Sequence, residues 1–422
     1  MPDHAPRCTP PLPQWPALAA GRAVWTGHQP RFWHPGILAK YHAADAAMTA
    51  AGDDTTPLHH VVVDQDVQDP LAIDVPVKQG EALSFARVRL GRVLAEVPTG
   101  AQPAATITAA TLPDGVDPRA ARGLQRITEA LSAHTSQPTL ALQVTHALHD
   151  LLAAHLSRPL VAHRATALAR APWFADEIHR LLHDAERCVA HYNRAAAQDR
   201  SAGIAPLQRE PFRVELPLWH LPQNAPRQRV YADLADTTPL LTVEDGTAIR
   251  NTSDLAPRAL LMTAWLRRQP GCGLFIHGTG GGRYDTITDA WWAAWRNEPL
   301  APIAVATADQ RLAFDAPVND GADVARAVWH AHHLPHNPDR VLGLDGPLVD
   351  EKAALLRTMD RDRDPARRRA AFHRIHAINA ALVAQHPQAL DDARARLHRT
   401  RRGVTNATIA HRRDWPFPYF AG

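Results

Sequence analysis

The sequence predicts an α/β protein with a parallel-sheet core, a helical insertion and a C-terminal helical coiled-coil hairpin. Three observations carry this expectation. Short β-branched or apolar runs alternate with helical segments within residues 23–63 and again within 257–307. The pattern from 117 to 198 is mainly helical. Beyond residue 345, charged helices with apolar seams take over.

The 422 residues suffice for one large domain with a smaller one, or for two domains. At 45% hydrophobic and 21% charged, the chain has the composition of a protein with a sizeable core. Lys and Arg number 46 against 43 Asp and Glu, a formal charge of only +3, so no broad positive field favours nucleic acid or an anionic membrane. Cys8, Cys188 and Cys272 are scattered and form no CxxC pair, which speaks against a disulfide scaffold and for a reducing compartment. Met1 to Leu18 lack the apolar run of a signal peptide, and no stretch nears the roughly 20 apolar residues that span a bilayer. A cytoplasmic location is expected, with small molecules as partners and neither nucleic acid nor membrane among them.

Residues 1–20 read as a disordered, Pro-rich leader. Ala23-Val24-Trp25-Thr26 is a strand ending in Gly27-His28-Gln29-Pro30; Gly36 to Ala51 is helical, and Leu58 to Val63 is the next strand, closing on Asp64-Gln65-Asp66. Strand, loop, helix and strand within about 40 residues is a βαβ unit, which makes the core Rossmann-like. Residues 117–204 form the helical insertion, including a long stretch from Pro172 to Ala197. Strand signals return at 212–218, 228–231 and 240–243, so 21–116 and 205–345 together make the core. A helix near 257–268 precedes the buried strand Gly273 to His277, and a Trp-rich helix from Thr286 to Trp295 leads to the strand 303–307. Within 346–403, Phe372, Ile375, Ile378 and Leu382 form an apolar seam, Asp364 and Pro365 suit a helix start, and Gly403 suits a stop; 404–422 is a tail.

Two glycine-rich turns carry the candidate chemistry. The first runs from Gly27, His28 and Gln29 through His34 and Gly36 to Lys40; glycine lets backbone approach a ligand, and a helix start offers free N–H groups to an anion. The bland alternative is a tight turn with surface histidines. Asp64 and Asp66 lie at a strand end facing the crevice where open α/β sheets bind ligands, or else cap a turn. The second turn, His277 with Gly278, Gly280, Gly281, Gly282, Arg283, Tyr284 and Asp285, reads as a backbone nest for phosphate or carboxylate. Arg258 adds a cation at the start of the preceding helix. His330, His332, His333 and His336 have no thiolate or carboxylate at a useful spacing, so no metal is assigned to them. Cys272 and the three tryptophans at 291, 292 and 295 fit a buried core.

Taken together, Thr26-Gly27-His28-Gln29, Asp64-Gln65-Asp66, Ile276-His277-Gly278-Thr279-Gly280-Gly281 and the closing helices resemble the bacillithiol biosynthesis cysteine-adding enzyme family. His34-Pro35-Gly36 with Lys40, and the continuation Arg283-Tyr284-Asp285 with Asp289, depart from its pattern. The resemblance implies a ligase that forms a carbon–nitrogen bond between cysteine and the amine of a glucosaminyl-malate, a nucleotide (ADP or ATP) as associated ligand, and a homodimer through the C-terminal helices. On this reading Asp64, Asp66, His28 and His277 are catalytic, and the remaining loop residues hold anionic parts of the substrates. Alternatives are a non-catalytic nucleotide- or sugar-phosphate-binding protein on the same scaffold, and a scaffold whose C-terminal helices recruit a partner.

Overall fold

The computed structural model describes residues 7–9, 11, 15, 18, 22–53 and 55–420. These fall into two units, one of 1–75, 86–311 and 413–422, the other of 76–85 and 312–412. In chain order the elements are β1 (Arg7–Thr9), β2 (Ala23–His28), α1 (Pro35–Ala50), β3 (Leu58–Val62), and a hairpin of β4 (Ala72–Gln79) and β5 (Ala82–Arg89). Next come α2 (Pro118–Ala133), α3 (Leu140–Leu152), β6 (Leu160–Arg164), α4 (Phe174–His183) and α5 (Ala185–Gln198). Five strands follow, β7 (Arg209–Glu210), β8 (Arg213–His220), β9 (Gln228–Asp233), β10 (Leu240–Val243) and β11 (Leu255–Pro257). The first unit then adds α6 (Ala259–Arg267), β12 (Cys272–His277), α7 (Thr279–Arg296) and β13 (Ile303–Thr307).

The protein is mixed α/β with a parallel-strand sheet of order β13-β12-β2-β3-β6, edged by β1 antiparallel to β13. Among the parallel strands the path runs from β2 outward through β3 to β6, and returns on the other side as β12 and β13. Strand order therefore reverses between β2 and β12. The period-two pattern explains the packing: Val24, Leu274, Ile276, Ala304 and Ala306 meet Ala43, Ala44 and Met48 of α1. The alternate residues Val61 and Phe275 meet Met262 and Leu266 of α6.

Several expectations change. Arg7–Thr9 form an edge strand where a disordered leader was expected, and much of the rest of that leader lies outside the described residues. The insertion is not purely helical, because Leu160–Arg164 joins the parallel sheet. The long helix expected from 172 to 197 breaks at Asp184. Residues 209–257 do not extend the parallel sheet; they build a separate antiparallel one of order β10-β9-β8-β11, with β7 on β8. Trp291, Trp292 and Trp295 are buried in a core shared by α5, α7 and that second sheet. The tail is not loose either: Trp415, Phe417 and Tyr419 are buried, and Phe417 N donates to Trp33 O at 2.7 Å.

The second unit holds α8 (Ala322–His333), α9 (Pro338–Leu342), α10 (Pro347–Arg361), α11 (Pro365–Gln385) and α12 (Pro387–Ala410). It thus begins earlier than the expected residue 346. Asp364 caps α11 by accepting from Ala366 N at 2.9 Å. Ile378 and Leu382 of the seam are buried, whereas Phe372 is 51% exposed. Gly403 does not stop a helix. It lies inside α12 because a Cβ there would come 2.5 Å from Asn319 Nδ2. Among the described residues, no helix is long and apolar enough to cross a membrane.

Candidate functional site

The reversal point between β2 and β12 opens, at the C-terminal ends of the strands, into a cavity of about 330 Å³. Strand β2 supplies Gly27 and His28, with Gln29 after it. At Gly27 a Cβ would stand 2.9 Å from both Val61 Cβ and Val61 O, so the two strands approach closely only because this residue is glycine. His34 caps α1, its Nδ1 accepting from Gly36 N at 3.1 Å. Burial, together with Arg413 and Arg31, holds the His34 imidazole down near 4, so the acceptor nitrogen stays unprotonated.

Lys40 lies one turn further along α1 and is only 2% exposed. Its Nζ donates to Gly27 O at 2.5 Å. Burial brings the ammonium down from 10.5 to about 7, which makes Lys40 a group that changes charge near neutrality. The His28 imidazole is held well below 6.5, first by burial and then by Lys40. Gln29 Nε2 donates to Asp66 Oδ2 at 3.1 Å, and Arg227 donates to Asp66 Oδ1 at 2.8 Å and to Gln65 O at 3.1 Å. This network fixes Gln29 and Asp66 at one wall.

The opposite wall is the start of α7. Gly278, Gly280 and Gly281 line the cavity, but they are not a loop nest: Gly278 is the N-cap and the helix begins at Thr279. The glycines have a packing reason. A Cβ on Gly281 would lie 2.4 Å from His277 Nδ1, and one on Gly282 would lie 2.5 Å from Val305 Cγ2. The first amide used within the helix is Gly282 N, bonded to Gly278 O at 3.0 Å. The N–H groups of Thr279, Gly280 and Gly281 therefore remain available at the positive end of an 18-residue helix.

One turn inside α7, Asp285 is 1% exposed and lines the cavity. Its Oδ2 lies 2.6 Å from His277 Nε2, a close contact without hydrogen-bond alignment, and 3.8 Å from Arg267 Nη1. Arg267 is itself buried, bonded to Asp289 at 2.7 Å and to Ala301 O at 2.7 Å. Tyr284 also lines the cavity.

Four expected site residues do not line it. Asp64 is buried with both oxygens taken by Thr166, from N at 2.9 Å and from Oγ1 at 2.6 Å; burial raises its carboxyl above the usual range. Arg258 donates to Glu215 at 2.6 Å and stacks on Trp219. Gly282 packs on Val305, and Arg283 is exposed. Cys272 is buried and its thiol pushed up to about 12, which removes it as a nucleophile. In turn, sequence reasoning missed Arg413, which lines the cavity from the expected tail, and Arg227 and Arg267, which hold its walls. No motif marks these arginines, since each is brought in by tertiary contacts alone. No known protein-family model matches the chain, and no curated protein matches it.

Proposed function

We propose that the chain is a group-transfer enzyme of ligase type, joining an amino acid or similar carboxylate to an amine of a small, amino-sugar-like substrate. The observation that carries this reading is one cavity faced by a buried amine near its titration point, free helix-start amides and a histidine backed by a buried carboxylate. The amides of α7 and the Lys40 ammonium suit a carboxylate or phosphate, or the oxyanion formed when an acyl carbon is attacked. As the C–N bond forms, the amine's proton passes to the neutral His277 ring, and the nearby Asp285 carboxylate stabilises the imidazolium that results. The carboxylate reacts as its acyl phosphate, formed with a nucleoside triphosphate; the bond from the acyl carbon to the phosphate oxygen breaks as the adduct collapses, and His277 passes the proton to the released phosphate. Lys40, His28 and Gln29 hold the acyl substrate, and Asp66 orients the amine.

The strand order supports a Rossmann-like core, and the Gly27–Gln29 and His277–Gly281 segments carry the resemblance to the cysteine-adding family. Leu356 and Phe372, exposed on α10 and α11, support a homodimer through the C-terminal helices. A cytoplasmic setting accords with the buried free thiols of Cys188 and Cys272.

A thermal-shift panel of nucleotides, amino acids and amino sugars, followed by assays of condensation between the binders, tests the reading. A ligand at a hundred times its Kd adds about 2.7 kcal/mol of stability. His277→Ala is expected to keep that shift while turnover falls about 10²- to 10⁴-fold. Binding with no turnover for any substrate pair leaves the non-catalytic alternative standing, and a panel without any shift sinks both.

A further inference from the structure

Beyond the end of β6 the first unit contains another cleft, about 570 Å³ in volume, which shares no lining residue with the cavity at the β2–β12 reversal. The turn from Asp64 to Asp66 separates the two. Asp66 faces the cavity, while Asp64 anchors Thr166 in the wall of the cleft.

Two arginines, Arg164 and Arg170, line this cleft. Among the described residues neither has a hydrogen-bond or ion-pair partner. That sets them apart from the other arginines near the strand ends: Arg227, Arg258, Arg267 and Arg413 each have a carboxylate oxygen within 2.6–2.8 Å. Asp64, whose carboxyl feels the charge of Arg164, already has both oxygens occupied by Thr166.

The backbone between the arginines is unusual in a way that matters. Ala165–Arg170 form a six-residue 3-10 turn, longer than the three or four residues such turns ordinarily reach. With three residues per turn, Ala167 and Arg170 share one face of the turn, Arg164 precedes it as the extended last residue of β6, and all three line the cleft. The end of β6 and the end of the turn thus bring two unpaired guanidinium groups to the lining of one cleft.

The facing rim is built of amides and oxygens. Asn224 holds a left-handed conformation (φ 56°), with its N–H donating to Ala101 O at 2.9 Å, and it lines the cleft beside Gln223. Ser253 and Asp254 complete that side, where a carboxylate suits hydroxyl donors. The lining includes no aromatic ring on which a nucleobase could stack.

We infer that this cleft is a second binding site, for a phosphorylated, polyhydroxylated small molecule whose phosphate is clamped by Arg164 and Arg170. Planar guanidinium forks match phosphate oxygens bidentately, and the amide and carboxylate rim matches sugar hydroxyls. This site stands independently of the transfer reaction proposed above.

Isothermal titration of the full chain with glucose 6-phosphate, inorganic phosphate and glucose tests the assignment. The sugar phosphate is expected to bind, inorganic phosphate to bind more weakly, and glucose not to bind. Arg170→Gln, at an exposed position where folding is undisturbed, is expected to weaken the sugar phosphate about tenfold, the loss of one charge-assisted contact. Arg164→Gln is expected to do the same, and if that variant fails to fold, Arg170→Gln decides. Unaltered binding to Lys40→Gln places the ligand in the cleft and not in the cavity. Absence of sugar-phosphate binding, an unchanged affinity in Arg170→Gln, or loss of binding in Lys40→Gln overturns the assignment.

Discussion

Lys40→Met is expected to raise stability at pH 7 by about 2–4 kcal/mol and to flatten its pH dependence between pH 7 and 10. An unfolded chain releases the Lys40 proton near 10.5, whereas the folded protein, where burial disfavours the ammonium, releases it near 7. Between those values the unfolded state holds a proton that the folded state lacks, so stability rises with pH through that window. Below pH 7 the full burial penalty remains, about 5 kcal/mol from the gap between 10.5 and about 7. Methionine fills the same space without charge. It leaves the Gly27 carbonyl without its Nζ donor, which takes back about 1–3 kcal/mol. Urea titrations of both proteins at pH 6, 8 and 10 read this directly. A stability gap that is the same at all three pH values would show that Lys40 is not titrating in the folded protein. The same variant is expected to lose affinity for anionic ligands of the cavity, which makes Lys40 a residue kept at a cost to stability.

Asp285→Ala is expected to have the opposite effect, lowering stability by about 3 kcal/mol, the low end for breaking a buried pair. The side chain is buried between His277 and Arg267, and its removal strips one counter-charge from a guanidinium that is 3% exposed. Asp289 still holds Arg267 at 2.7 Å, which keeps the loss from being larger. Asp285→Asn separates structure from chemistry, since it preserves volume and removes the charge that would stabilise an imidazolium. For a positioning residue the expected signature is a fall in kcat with KM little changed, measured well below the unfolding temperature. Wild-type kcat in Asp285→Asn would remove Asp285 from the proposed mechanism.

The strands that flank the cavity are legible because each reads as a short apolar run with most or alternate residues buried: β2, β3, β12 and β13 lie where the sequence puts them. Strand β6 is hidden because it is a half-exposed edge, with Val161 turned outward and a charged end at Arg164. The glycines after β12 mislead for a related reason. Their low helix propensity argues for a loop, but contacts with His277 and Val305 leave no room for a Cβ, so packing overrides propensity. Asp64 and Asp66 look equivalent in sequence, yet Thr166, 102 residues away, turns one into a structural anchor while Gln29 and Arg227 hold the other at the cavity. Arg413 was invisible because nothing near it in the chain hints at the cavity it reaches.

The seam between β2 and β12 also sets a timetable. Thr26 Oγ1 donates to Ile276 O across 250 positions of sequence, so the two strands meet only after the residues between them are made. During synthesis the β2–α1–β3 segment emerges with one wall of the cavity about 200 residues before the other wall, and Arg413 follows later still. Closing so long a loop adds little to the equilibrium cost, about 0.6 kcal/mol per doubling of its length. It delays the event instead, because distant strand pairing is slow. The cavity at the β2–β12 seam therefore lacks one wall until residue 285 is made, and capture of a cavity ligand during refolding would report the moment the two halves of the sheet join.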